Sequence, residues 1–159
     1  MNSEIQIRFI QGTAWDSRAI EFQTRAWCSH VEAIIPALCP LTMGALVKGG
    51  VRMRRVNDEC YQGVARWEIW HIPCEPYQSN NFWEFLDDQF GKPYDWRAIA
   101  SFAFGQRNWL SHDAWFCSEL QFAAMREAGL YTPPAQLPCD RLTPRDAYLI
   151  FTGLPGAWK

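Results

Sequence analysis

Cys117 stands in the segment Trp115-Phe116-Cys117-Ser118-Glu119-Leu120, at the start of the strongest helical pattern in the chain. A cysteine in the first helical turn faces unpaired backbone N–H groups and the positive end of the helix dipole, and both favour a thiolate. The same N–H groups suit the oxyanion of an acyl-transfer intermediate. Helical spacing puts Cys117, Leu120 and Ala124 on one apolar face, so the thiol is expected to point at the sheet rather than at bulk water. This is the chemistry of a nucleophile that forms an acyl-enzyme. A buried structural cysteine at a helix start satisfies the same pattern.

A thiol nucleophile needs a base, and the chain has three histidines: His30, His71 and His112. His30 shares a strand face with Glu32, two residues on, and a His and a Glu on one face of an otherwise apolar strand need buried partners. His112 lies five residues before Cys117 in an expected loop, where it is poorly anchored. His71 sits near a strand end, as a surface or core histidine. A metal site is a rival use of these residues. Cys28-x-His30 and His71-x-x-Cys74 offer four zinc-type ligands. A strand, however, separates Cys28 from His30 by about 7 Å, wide for one ion. No metal and no cofactor is expected.

The elements that must position these residues follow from hydrophobic period and punctuation. Residues 5–10 alternate as a strand, and Asp16 or Ser17 is placed to cap a short helix to about Thr24. Residues 27–35 read as the histidine strand, ended by Pro36. Residues 42–47 and 51–56 read as a hairpin about Lys48-Gly49-Gly50, and residues 66–72 as a strand stopped by Pro73. Arg52, Arg54 and Arg55 read as a solvated strand edge. The second half is helical. Asn80 or Asn81 is expected to cap residues 82–90, Asp95 to cap 96–104, and Thr143 with Pro144 to open a last helix to about Phe151. The best helix covers residues 116–128, closed by Gly129. Strands first and helices second give an α+β fold, one domain over 1–159, with helices packed on an antiparallel β-meander.

The order of segments carries a resemblance. Ser29-His30-Val31-Glu32 on an early strand precedes Gly91-Lys92-Pro93-Tyr94-Asp95, which precedes Phe116-Cys117-Ser118-Glu119-Leu120; Leu142-Thr143-Pro144-Arg145-Asp146 closes the set. This arrangement resembles the circularly permuted NlpC-type papain-like superfamily. The YiiX-like amidases and the lecithin:retinol acyltransferase group belong to it. The resemblance implies a permuted papain-like fold, with Cys117 as nucleophile and His30 as base. It also implies a third polar residue on the strand after the histidine strand, which orients the imidazole. Where YiiX-like members often carry a Glu, this chain has Gly44. Thr42 on the same strand and Glu32 on the histidine strand are the candidates for that task, and Glu32 is preferred because a carboxylate stabilises an imidazolium better than a hydroxyl. The expected activity is hydrolysis of a peptide-like, cell-wall type amide through an acyl-enzyme. A non-catalytic binding module and an acyl-transferring lipid or ester enzyme are the alternatives on the same fold.

Composition is consistent with this. The chain has 159 residues, 48% of them hydrophobic and 15% aromatic, with nine Trp, enough to build a core. A net charge of −2 gives no electrostatic reason to expect nucleic acid. No run approaches the roughly 20 apolar residues of a membrane span. Met1-Asn2-Ser3-Glu4 opens no signal peptide, so a cytoplasmic product is expected, with delivery elsewhere by a signal-less route still open. The six cysteines (Cys28, Cys39, Cys60, Cys74, Cys117 and Cys139) form no Cys-x-x-Cys pair and read as free thiols.

Overall fold

The computed structural model describes residues 3–35, 41–56, 63–97, 113–132 and 142–159. His112, Trp109, Cys39, Cys60, Cys139 and most of the helix expected over 96–104 lie outside them. Five strands form one antiparallel sheet: β1 (Ser3–Gly12), β2 (His30–Ile35), β3 (Leu41–Leu46), β4 (Gly50–Arg55) and β5 (Val64–Cys74), in the spatial order β4-β3-β2-β1-β5. The first four make the expected meander. The fifth departs from it, crossing back to lie beside β1. Helices α1 (Trp15–Thr24), α2 (Pro76–Asp88), α3 (Cys117–Glu127) and α4 (Pro144–Thr152) complete the described elements. None is long and apolar enough to cross a membrane.

Period-2 alternation sorts the two faces of the sheet. Ile5, Ile7 and Phe9 of β1, Val31 and Ala33 of β2, and Met43 and Ala45 of β3 are buried in one core with the helices. α3 is buried along nearly its whole length, from Cys117 to Met125, because the sheet and two other helices enclose it. Its pose is fixed by polar contacts as well as packing. Gln121 Nε2 donates to Met43 O on β3 at 3.1 Å, and Ser118 Oγ donates to Leu142 O at 2.5 Å.

Several boundaries differ from the sequence reading. β5 runs through Pro73 to Cys74, because it is an edge strand where a missing N–H is tolerated. α2 starts at Pro76, not near Asn80: Pro suits the first helical turn, and the Gln78 side chain accepts from the Glu75 N–H at 3.0 Å. The histidine strand begins at His30, after an irregular Cys28-Ser29 step.

One turn ties the sheet edge to the start of α3. Val51 N–H donates to Lys92 O and Gly91 N–H to Val51 O, both at 2.8 Å, while Asp95 N–H donates to Trp115 O and Trp115 N–H to Pro93 O, both at 3.0 Å. The segment from Gly91 to Asp95 thus bridges β4 to the residue two before Cys117. Gly50 makes the approach possible: its φ is +69°, and an added Cβ would lie 2.1 Å from Lys92 O. Gly50→Ala is therefore expected to lower stability by about 2–5 kcal/mol. A urea titration showing a loss below about 1 kcal/mol would mean that the 91–95 segment readily moves aside.

Candidate active site

His30 and Glu32 project from one face of β2, and their partners come from β1 alongside it and from β4, one strand beyond β3. Arg8 is the cross-strand partner of Glu32 on β1, and Arg54 lies on β4 opposite Thr42. Glu32 is fully buried. Its Oε2 accepts from Arg54 Nη2 at 2.5 Å and lies 3.4 Å from His30 Nε2, while its Oε1 lies 3.3 Å from Arg8 Nε. Arg54 Nη2 is also 3.5 Å from His30 Nε2. With Glu32 accepting, Nε2 carries the imidazole proton, and Nδ1 is the ring nitrogen with no partner among the described residues.

The charges act on each other as this geometry requires. Burial alone would raise the Glu32 carboxyl, but the contact with His30 and the Arg54 and Arg8 guanidinium groups bring it down to about 2. Burial pushes the His30 imidazole below its ordinary 6.5. The two arginines push the same way, against Glu32. His30 is therefore a neutral imidazole at neutral pH.

The two candidate orienting residues, Glu32 and Thr42, differ in their contacts. Thr42 Oγ1 accepts from Arg54 Nε at 3.4 Å, so Thr42 serves the arginine and not the histidine. Gly44 lies directly against Glu32: a Cβ there would stand 3.0 Å from Glu32 Cβ. The absence of a side chain at 44 leaves room for the Glu32 carboxylate. Arg54 corrects the expectation of a solvated edge, since it is buried as the ion-pair partner of Glu32, while Arg55 is exposed.

Cys117 reaches β2 at the same place. Its Sγ lies 4.0 Å from the carbonyl oxygen of Ser29, the residue before His30. Ser29 is pinned in turn, its N–H donating to Ile10 O at 2.9 Å and its Oγ accepting from the Gly12 N–H at 3.1 Å. The first turn of α3 is closed by Glu119, whose Oε2 accepts from the Phe116 N–H at 3.1 Å. No direct hydrogen bond joins Cys117 Sγ to His30 among the described residues. The expected low thiol pKa is not met either. Burial, the largest influence, pushes Cys117 up to about 12, although the backbone N–H groups of Val31 and Ser118 favour the anion. A full helix dipole does not offset removal from water. Cys117 is a neutral thiol at rest, not half of a thiolate–imidazolium pair.

A cavity of about 450 Å³ opens beside His30, walled by the end of β1, the start of α1, the β3–β4 hairpin and Tyr94. His30 is 18% exposed, whereas Cys117 is sealed and does not line the cavity. Tyr94 packs 5.8 Å from the Phe116 ring, and burial followed by the proximity of Cys117 raises its phenol well above 10. Asp95 does not face the cavity: its Oδ1 accepts from the Arg97 N–H at 2.8 Å, as a helix cap.

The zinc arrangement is not assembled. His71 pairs with Gln6, which pairs with Ile34, so it lies two strands across and about 13 Å along from His30. Its Nδ1 contacts Glu4 Oε1 at 2.9 Å and its ring stacks on Trp158, while Cys28 Sγ donates to Pro144 O at 3.6 Å. Among the described residues no three His, Cys, Asp or Glu converge as metal ligands.

No family model and no curated protein matches the chain. Among solved structures it is similar to the metalloprotein YiiX from Escherichia coli O157:H7, with a TM-score of 0.61 and 20% identity over 77% of this chain. The chain spans 64% of the length of that one. The likeness shows the fold, the α+β papain-like arrangement that the order of segments predicts.

Proposed function

We propose that the chain is a cysteine hydrolase of the permuted papain-like type, cleaving a peptide-like amide or an ester through a Cys117 acyl-enzyme. The observation that carries this reading is the convergence at one point of β2: His30 held by Glu32, with the Cys117 sulfur against the backbone on either side of it. His30 is the base and Glu32 the positioning residue. Because thiol and imidazole are both neutral at rest, proton transfer accompanies attack. The sulfur bonds to the carbonyl carbon as its proton passes to His30 Nδ1. The oxyanion is stabilised by N–H groups at the start of α3, Ser118 among them. Collapse breaks the bond to the leaving group, which takes the proton from His30. Water, deprotonated by His30, then releases the acid and restores the thiol.

The sealed sulfur has a consequence for this mechanism. Substrate must displace whatever separates Cys117 from the cavity, so catalysis includes an opening step. The same seal favours a second reading, a non-catalytic module that binds its ligand beside His30. YiiX is described as a metalloprotein; in this chain no three His, Cys, Asp or Glu converge as metal ligands among the described residues.

An activated ester, 4-nitrophenyl acetate, separates the two readings. Rapid quench followed by peptide mapping is expected to find an acetyl group on the peptide containing Cys117 during turnover. Turnover without any label on that peptide rejects the nucleophile, and neither turnover nor label favours the module.

A further inference from the structure

We infer that the substrate carries an anionic group, a carboxylate or phosphate, which docks on Lys48 and Arg52 in the cavity beside His30. This rests on the hydrolase reading for what happens next, but not for binding. Among the described residues the cavity wall carries Lys48, Arg52 and Arg54 against one acid, Asp16. Arg54 is engaged by Glu32, and the Asp16 carboxylate accepts from the Ser17 N–H at 2.8 Å. Lys48, at the exposed tip of the β3–β4 hairpin, and Arg52, half-buried on β4, form no ion pair with a described acid.

Arg52 is held in place for a ligand rather than swept into solvent. It is the cross-strand partner of Gly44, so it leaves the sheet on the face that carries Glu32 and Arg54. Its guanidinium lies over Gly49, where an added Cβ would come 2.8 Å from Nη1. Its Nε is sealed from water with no hydrogen-bond partner among the described residues. With Nε turned inward, the Nη groups are the donors that Arg52 offers to an anion in the cavity, through charge-assisted bonds. The lining also carries the apolar Ile10, Ile20 and Val47, beside the polar Thr13, Ser17 and Ser29. The ligand chemistry that fits is an acyl group with an apolar spacer between its carbonyl and its anionic end.

Three chromogenic esters of matched length test this: mono-4-nitrophenyl glutarate, 4-nitrophenyl 4-phosphonobutanoate and neutral 4-nitrophenyl pentanoate. At least one anionic ester is expected to exceed the neutral one in kcat/KM by about tenfold or more, the size of a lost charge-assisted bond. Which anion wins identifies carboxylate or phosphate. The ratio falls to about one in Lys48→Ala/Arg52→Ala, and partway in Lys48→Ala alone, which lies on an exposed turn if the double variant fails to fold. No preference in the unmodified protein, or a preference that survives both substitutions, overturns the inference. If no ester is turned over, the hydrolase reading fails and the anion site is tested alone. Calorimetric titration of glutarate and of inorganic phosphate into the Cys117→Ala protein should then show saturable binding that Lys48→Ala weakens and Lys48→Ala/Arg52→Ala abolishes; absence of binding, or binding unchanged by Lys48→Ala, overturns the inference.

Discussion

Replacing Glu32 by alanine is expected to destabilise the protein by about 3–5 kcal/mol, as removal of one member of a buried ion-pair set does. The size comes from what remains. Arg8 and Arg54 are both nearly buried, and without the carboxylate two guanidinium charges share a water-poor space with a neutral histidine. Glu32→Gln keeps a hydrogen-bond acceptor and should fall short of the full loss. The same cluster sets a pH dependence. The Glu32 carboxyl is depressed in the folded state, to about 2 from 4.5, so its stabilisation is complete above pH 4.5 and is lost as pH falls toward 2. His30 acts in the same direction earlier. Its folded pKa lies below 6.5, so below that pH the unfolded state binds a proton that the folded state resists. Denaturant midpoints measured from pH 7 to pH 3 should fall steadily, and the fall should shrink in Glu32→Gln. A Glu32→Ala loss under about 1 kcal/mol would mean that the two arginines find water or other acceptors unaided.

Cys117→Ala and His30→Ala are each expected to lower kcat/KM for an activated ester by at least about 10⁴-fold while the fold persists. The two losses should not add in the double variant, because the groups act as one unit. In the unmodified protein the acid limb of kcat/KM should lie below pH 6.5, since burial depresses the base. Alkylation makes a complementary check. A thiol near 12 reacts slowly with iodoacetamide at pH 6 and faster as pH rises, whereas a preformed ion pair would react fast already at pH 6. Retained turnover in either single variant removes the assignment.

Much of this site was legible in the sequence, and the gaps have physical causes. Strict alternation along β2 was enough to put His30 and Glu32 on one face, and helix position was enough to bring Cys117 to the sheet. What alternation within one strand cannot supply is register between strands. Arg8 and Arg54 became partners of Glu32 only through the register of β2 with β1 and, across β3, with β4; Arg8 holds a regular polar position of the β1 alternation, and Arg54 sits in period with Arg52. The helix-start rule failed for the thiol pKa because it contains no term for burial, and here burial is the larger effect. Gly44, read from sequence as a missing acid, proves to be the room in which an acid from the neighbouring strand stands.

The sheet's outer strands have one more consequence. On β5, His71 N–H donates to Trp158 O at 2.8 Å and Trp158 N–H returns to His71 O at 3.1 Å. On β4, Val51 exchanges the two bonds with Gly91 and Lys92 described above. Irregular chain thus occupies part of both margins, where unpaired N–H and C=O groups would otherwise template a strand from another molecule. The short bridge that carries the fold toward Cys117 also guards one margin of the sheet against intermolecular β-pairing.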